Sequence, residues 1–386
     1  RLIYALNGTR TFNNSQGNMD WGTALNWTGG LPGAGDTALI SGTYAVSHAY
    51  GNDSIAALTI SEANSLNVSG GTLNVSGLTT LGGSLSISGS GAAILAGGAS
   101  GAATGQLTLS GGTLTLSAAS LVSTYTQTGG LLNGAADLTA NAGFYWSSGA
   151  MQGAGKTVVG PGVTAGIVHT LDGGYSEPVL ERTLEVNGAV AHESGTGGNY
   201  KLTINTGGVL DIKSGGSYLF TSDAGIDGSG GLIVNSGTFG KTGGVGASVV
   251  SAALSNTSGT INITSGYIND TAGVSNSGTG SITGDLYMTG GTGTVSGILN
   301  GTGRLLLGGG TLTTGMGGFS VPGYYQYGGT LDGTAGSDLT ATSGFDWYSG
   351  TMTGTGKTIV GAGVTAGKVH TVDGGYSEPV LERTLE

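Results

Sequence analysis

LNVSGGTLNVSG, residues 66–77, contains the same alternation twice, Leu66-Asn67-Val68 and Leu73-Asn74-Val75, on either side of Gly70-Gly71. Apolar and polar residues alternate with period two, the mark of a strand with one face buried. LTLSGGTLTLSA at 107–118 repeats the pattern. Corner glycines of this unit stand at Gly71, Gly112, Gly130 and Gly149, then at Gly291, Gly310, Gly329 and Gly350. The spacings are 41, 18 and 19, then 19, 19 and 21, and 41 is two steps of about 20. Strand, glycine corner, strand in about 20 residues is one turn of a parallel β-solenoid. Such a turn cannot bury its own apolar face, and stacking supplies the partner. No stretch sustains a 3.6-residue period with caps, so the chain is expected to be all-β, a parallel β-helix essentially without α-helix. Inward Leu, Val, Ile and Ala are expected to fill a narrow interior, with Gly and Asn at corners of positive φ.

A longer repeat overlies this short one. GGYSEPVLERTLE occurs at 173–185 and, letter for letter, at 374–386, 201 residues later. The likeness runs back until 105–185 resembles 303–386, a period of about ten turns. The segment between the copies keeps the same texture, so 51–386 reads as one solenoid and 1–50 as a lead-in and contact segment. At about 20 residues per turn the chain would make about 19 turns, a rod on the order of 90 Å long at roughly 4.8 Å per turn.

Composition narrows the function. Of 386 residues 83 are glycine, without a Gly-X-Y period, which excludes collagen. Only 9% are charged, and 22 acids face 11 bases. An acidic chain with scattered bases is not built for nucleic acid. No charged residue falls between Ala63 and Ala136, so that surface is neutral and hydrogen-bonding. Cysteine is absent, and no apolar run is long enough to span a bilayer as a helix. RLIYALNGTR lacks the apolar core of a signal peptide, so the chain reads as a mature form, a trimmed form or part of something longer.

DWGTALNWTGGLPGAGDTALISG, residues 20–42, joins two tryptophans to a Pro-Gly-Ala-Gly-Asp loop (32–36) and a strand. Trp21 and Trp27 are placed to cover the end of a core. This stretch resembles the opening segment of repetitive bacterial surface and secreted β-helix proteins, filamentous-haemagglutinin-like or autotransporter-passenger-like. The resemblance implies a right-handed solenoid and an extracellular, cell-surface location.

Four features invite chemistry. GAGKT (153–157) and GTGKT (354–358) suggest a phosphate loop, but Ala150 and Thr351 stand where it needs glycine, and strand follows where it needs a helix. His169, Asp172, Glu177, Glu181, Arg182 and Glu185, with their copies from His370 to Glu386, form the densest polar cluster. They suit either glycoside chemistry or a structural surface edge with Glu181 and Arg182 paired, and duplication favours the edge. Gly33-Ala34-Gly35-Asp36 is half of a calcium nonapeptide without the tandem copies such sites need. Phe144/Trp146 and Phe345/Trp347, near Tyr125 and Tyr325, share a strand face and suit either sugar stacking or core.

No catalytic residue, cofactor or metal is therefore expected. The leading expectation is a structural fibre or sheath subunit whose open solenoid ends join head to tail. Its candidate contacts are Leu2, Ile3, Tyr4 and Leu6 at one end and Tyr376, Glu378, Leu381, Arg383 and Leu385 at the other. An adhesin stalk or passenger binding surface glycans or host protein is the alternative, and a carbohydrate-active enzyme comes third.

Overall fold

A computed structural model describes residues 7–162, 164–168, 177–193, 201–366 and 379–386. The chain divides into two compact units, Arg1–Ala189 and Val190–Glu386. It is an all-β parallel solenoid of about 20 residues per turn, as the glycine spacing implies, with 1% helix. The only helical element among the described residues is the 3-10 turn Ala24–Asn26.

In the first unit each turn carries three strands, and each strand pairs in parallel with its counterpart one turn on. Ala45–His48, Ser65–Val68 and Ser84–Ile87 stack in one sheet. Asn52–Ile55, Thr72–Val75, Ala92–Leu95 and Thr113–Leu116 stack in the next. Thr37–Ile40, Ala57–Ile60 and Thr79–Leu81 form the third. Register fixes columns of inward side chains. One runs Leu66, Leu85, Leu107, Tyr125, Phe144, and its neighbour runs Val68, Ile87, Leu109, Gln127, Trp146. All ten are buried. Each such apolar side chain contributes roughly 2 kcal/mol by leaving water.

The N-terminal residues close this interior with aromatic side chains. Trp21 and Trp27 are 0% and 2% exposed and meet edge to face at 4.8 Å. Phe12 lies edge-on to Trp27 at 5.0 Å, and Trp27 Nε1 donates to the Trp21 carbonyl.

The second unit repeats the three-strand turn. Leu286, Leu305, Tyr324 and Phe345 form one inward column, and Met288, Leu307, Gln326 and Trp347 the next. The order aliphatic, aliphatic, Tyr or Gln, aromatic is that of the first unit. Earlier turns hold a buried amide chain, with Asn235 Nδ2 donating to Asn256 Oδ1 and Asn256 Nδ2 to Asn276 Oδ1, at 2.8 and 2.7 Å. The chain ends on the carbonyls of Gly278 and Ser296, so no amide proton of Asn276 is stranded.

All eight corner glycines picked out by spacing have positive φ, from +64° at Gly112 to +89° at Gly350. At Gly112 a Cβ would also lie 1.9 Å from the Gly91 carbonyl oxygen of the previous turn. Only glycine meets both conditions.

Two expectations are corrected. The interior is not limited to small aliphatics, since it encloses Trp146, Tyr125, Tyr218, Phe239 and Trp347. The two units together make about 15 turns, not 19. Among the described residues, those before Thr37 contribute only the strand Thr9–Thr11 and the 3-10 turn as elements. The repeated segment also lengthens its turns. Lys156 pairs with Thr183 and Lys357 with Thr384, 27 residues on, and Ala150 pairs with Val179 and Thr351 with Val380, 29 residues on.

Candidate functional site

The duplicated module carries a buried tyrosine–glutamine–tryptophan arrangement that both copies build alike. The Tyr125 hydroxyl donates to Gln127 Oε1 at 2.9 Å, and Gln127 Nε2 donates to the Ala150 and Gly130 carbonyls at 3.0 and 3.3 Å. In the second copy Tyr324 donates to Gln326 at 3.0 Å, and Gln326 to the Thr351 and Gly329 carbonyls. Burial holds both phenols well above their usual range. Trp146 and Trp347 turn their ring N–H onto the Ser148 and Ser349 carbonyls.

Arg182 is not the surface residue its charge suggests. It sits at the corner between strands Val179–Leu180 and Thr183–Val186 and is 2% exposed. Its Nη2 donates to the Ala136 carbonyl at 2.9 Å and its Nη1 to the Gln152 carbonyl at 3.3 Å. Arg383 is 6% exposed and donates to the Lys357 carbonyl. Burial lowers both guanidinium pKa values, though both groups stay charged. A Cβ on Gly155 or Gly356 would stand 2.7 or 3.0 Å from the Arg182 or Arg383 Nη2, so these glycines make the room. An arginine that stitches corner carbonyls together is a structural fastener.

The Gly-Lys-Thr motif is a corner leading into the strand Lys156–Val159. The Lys156 backbone N–H is held by Asp137 Oδ1, and Lys156 Nζ pairs with Glu185 at 3.0 Å. Lys357 repeats both contacts, with Asp338 and Glu386. The lysines face carboxylates across the lengthened turn, an arrangement opposite to a phosphate cradle.

Of the aromatic candidates, Phe144, Trp146, Phe345, Trp347 and Tyr125 are all buried, which decides for core over sugar stacking. Tyr325 alone points outward. Asp36 of the nonapeptide-like loop accepts the backbone N–H groups of Gly8 and Gly33 and pairs with Arg10 at 3.2 Å, and these donors hold its carboxyl below the usual range.

Leu2, Ile3, Tyr4, Leu6, Tyr376 and Glu378 lie outside the described residues, as do His169, Asp172, His370 and Asp373. Leu381 and Leu385 are described, at 48% and 39% exposed, while their copies Leu180 and Leu184 are 0% exposed. Val380 is 44% exposed.

Sequence reading missed one group, the outward tyrosines Tyr287, Tyr327 and Tyr348 of the second unit, which lie near Tyr325. Among the described residues no His, Asp or Glu cluster is placed to hold a metal ion, and no helix is long and apolar enough to cross a membrane. No family model, no curated protein and no solved structure matches this chain.

Proposed function

We propose that this protein is a non-catalytic structural solenoid, a subunit of an extracellular fibre or sheath of the bacterial-surface β-helix kind, assembling head to tail. One observation carries the reading: Arg182, Gln127 and their copies spend their hydrogen bonds on the protein's own carbonyls, so the module's polar side chains hold turns together. A stack of parallel turns can accept a further turn, and the occupant proposed is the first turn of a second copy. A surface with so few charges also resists close neighbours little.

Electron microscopy at low protein concentration tests this. Uniform filaments that lengthen with concentration support it. Single short rods at every concentration, with both ends intact, overturn it, as does a chain whose own continuation covers Leu381 and Leu385. A second reading, an adhesin stalk presenting groups to glycans, is favoured by the outward tyrosines of the second unit.

A further inference from the structure

The outward face of one sheet in the second unit differs from the Ser, Thr and Gly surface elsewhere. Register there aligns Tyr287, Leu306, Tyr325 and Asp346 on four successive turns. Leu306 points outward yet is only 9% exposed, with a tyrosine in register on each side. Just past the strand ends, the Tyr327 and Tyr348 rings stack at 4.8 Å with 5° between their planes, and Tyr287 stands edge-on to Tyr327 at 6.3 Å.

Glycines let these rings lie down on the sheet. A Cβ on Gly308 would come within 2.7 Å of the Tyr287 hydroxyl, and one on Gly344 within 2.9 Å of the Tyr325 hydroxyl. On Gly323 it would meet Arg304 Cγ at 2.9 Å and Tyr325 Cε2 at 3.1 Å. Arg304 is fixed by a two-pronged pair with Asp285 and sits 5.1 Å over the Tyr325 ring. The Tyr287 and Tyr325 rings are thus held in place before any ligand arrives, which lowers the ordering cost of binding, while Tyr327 and Tyr348 turn faces to each other.

We propose that Tyr287 and Tyr325, beside the stacked Tyr327–Tyr348 pair, form a platform for a neutral glycan chain lying along the solenoid. Aromatic rings offer flat faces to the C–H faces of pyranose rings, and phenol hydroxyls offer hydrogen bonds to sugar hydroxyls. Tyr287 and Tyr325 are two turns apart, about 9.6 Å at the strand spacing, close to the disaccharide step of an extended β-linked chain. Charge selects a neutral ligand. The Arg304 guanidinium is engaged by Asp285, and a chain of net charge −11 repels acidic polymers. This site deepens the stalk reading and stands independently of end-to-end assembly.

The test uses the full chain with cellohexaose, laminarihexaose and chitohexaose by calorimetry, and polygalacturonate as the acidic control. Binding of at least one neutral hexamer is expected, weakened roughly tenfold by Tyr287→Ala or Tyr325→Ala. Tyr325→Phe keeps the ring and should retain most of the affinity. Tyr145→Ala, an outward tyrosine of the first unit, should leave binding unchanged. Circular dichroism melts confirm that each variant is folded. No binding to any neutral hexamer overturns the proposal, as does affinity indifferent to the Tyr→Ala changes or confined to polygalacturonate. So does sedimentation showing that Tyr→Ala variants lose side-by-side self-association, because the platform is then a contact between copies. Filament formation is scored separately, so failure here is distinguishable from failure of assembly.

Discussion

The Tyr125 hydroxyl and Gln127 Oε1 are 2.9 Å apart inside the first unit, and Tyr324 and Gln326 repeat the bond at 3.0 Å in the second. Two residues apart on a strand, both side chains point inward, so the hydroxyl finds its acceptor on its own strand. Tyr125→Phe strands that acceptor in a dry interior and should cost about 1–2 kcal/mol. Gln127→Leu should cost more, because it orphans the hydroxyl and also removes the donor to Ala150 and Gly130. Urea unfolding of the two variants checks the order. Equal losses would mean that water enters and replaces the amide.

Asp270 makes stability fall as pH rises. It ends the strand Tyr267–Asp270 on an inward position, fully buried, in register with Val250 and Met288. Its Oδ1 accepts the Gly273 and Ala272 N–H groups, but its Oδ2 has no donor. Burial pushes its pKa up to about 6 against those two hydrogen bonds. The folded state therefore binds this proton more tightly than the unfolded chain does. The resulting stabilisation is full below about pH 4 and lost by about pH 6, on the order of 3 kcal/mol. Asp36 and Asp227, held low by the Gly33 N–H and by Lys201, change stability only at more acid pH, outside this window. His192, pushed down to about 3 by burial, acts in the opposite sense over the same window, so unfolding free energy should stay nearly level between pH 4 and 6 in the native chain and rise with pH in Asp270→Asn.

Lys241 is another charge in the second unit's interior. It is fully buried, between Phe220 and Ile263 in register, and its ammonium donates to the Ser222 carbonyl, Asp223 Oδ1 and Ser248 Oγ at 2.6, 2.7 and 3.2 Å. Asp223→Ala leaves that ammonium with neutral oxygens only and should cost about 3–5 kcal/mol. Lys241→Met removes the charge itself and keeps most of the stem's volume, and the freed Asp223 is 35% exposed and reaches water. The loss there should be about half as large. Thermal melts of both variants decide, and a larger loss for Lys241→Met would mean the stem's fit outweighs the ion pair.

These two charges mark where the sequence stopped being legible. Period-two alternation and glycine spacing gave the solenoid, because backbone geometry forces both. They did not give Lys241, Asp270, Arg182 or Gln127, because hydropathy reads a charged or amide side chain as outward whatever its register. Counting back from the corner glycine removes the ambiguity. The third and fifth residues before Gly71, Gly130, Gly329 and Gly350 all point inward, so Gln127 and Trp146 take the place of Val68. The fourth points outward, which is how Tyr287 and Tyr325 align before Gly291 and Gly329. The widened turns were hidden because the glycine count skips the lengthened segment before Val179 and Val380.

Leu184 and Leu385 are one residue of the duplicated segment in two environments, 0% and 39% exposed. The same substitution therefore separates folding from assembly. Leu184→Asp places a carboxylate in a dry interior and should cost at least about 3 kcal/mol. Leu385→Asp reads what covers the second copy of the segment: a loss as large as that of Leu184→Asp means that a further turn of the same chain lies on it, and a shift below about 0.5 kcal/mol leaves the strand to another copy of the chain. If a second copy's turn seats on that strand, Leu385→Asp must then put a charge into the new interface and shorten or abolish filaments. Electron microscopy of Leu385→Asp beside the native chain reads this directly. Filaments of native length from a folded Leu385→Asp protein would remove 380–386 from the contact.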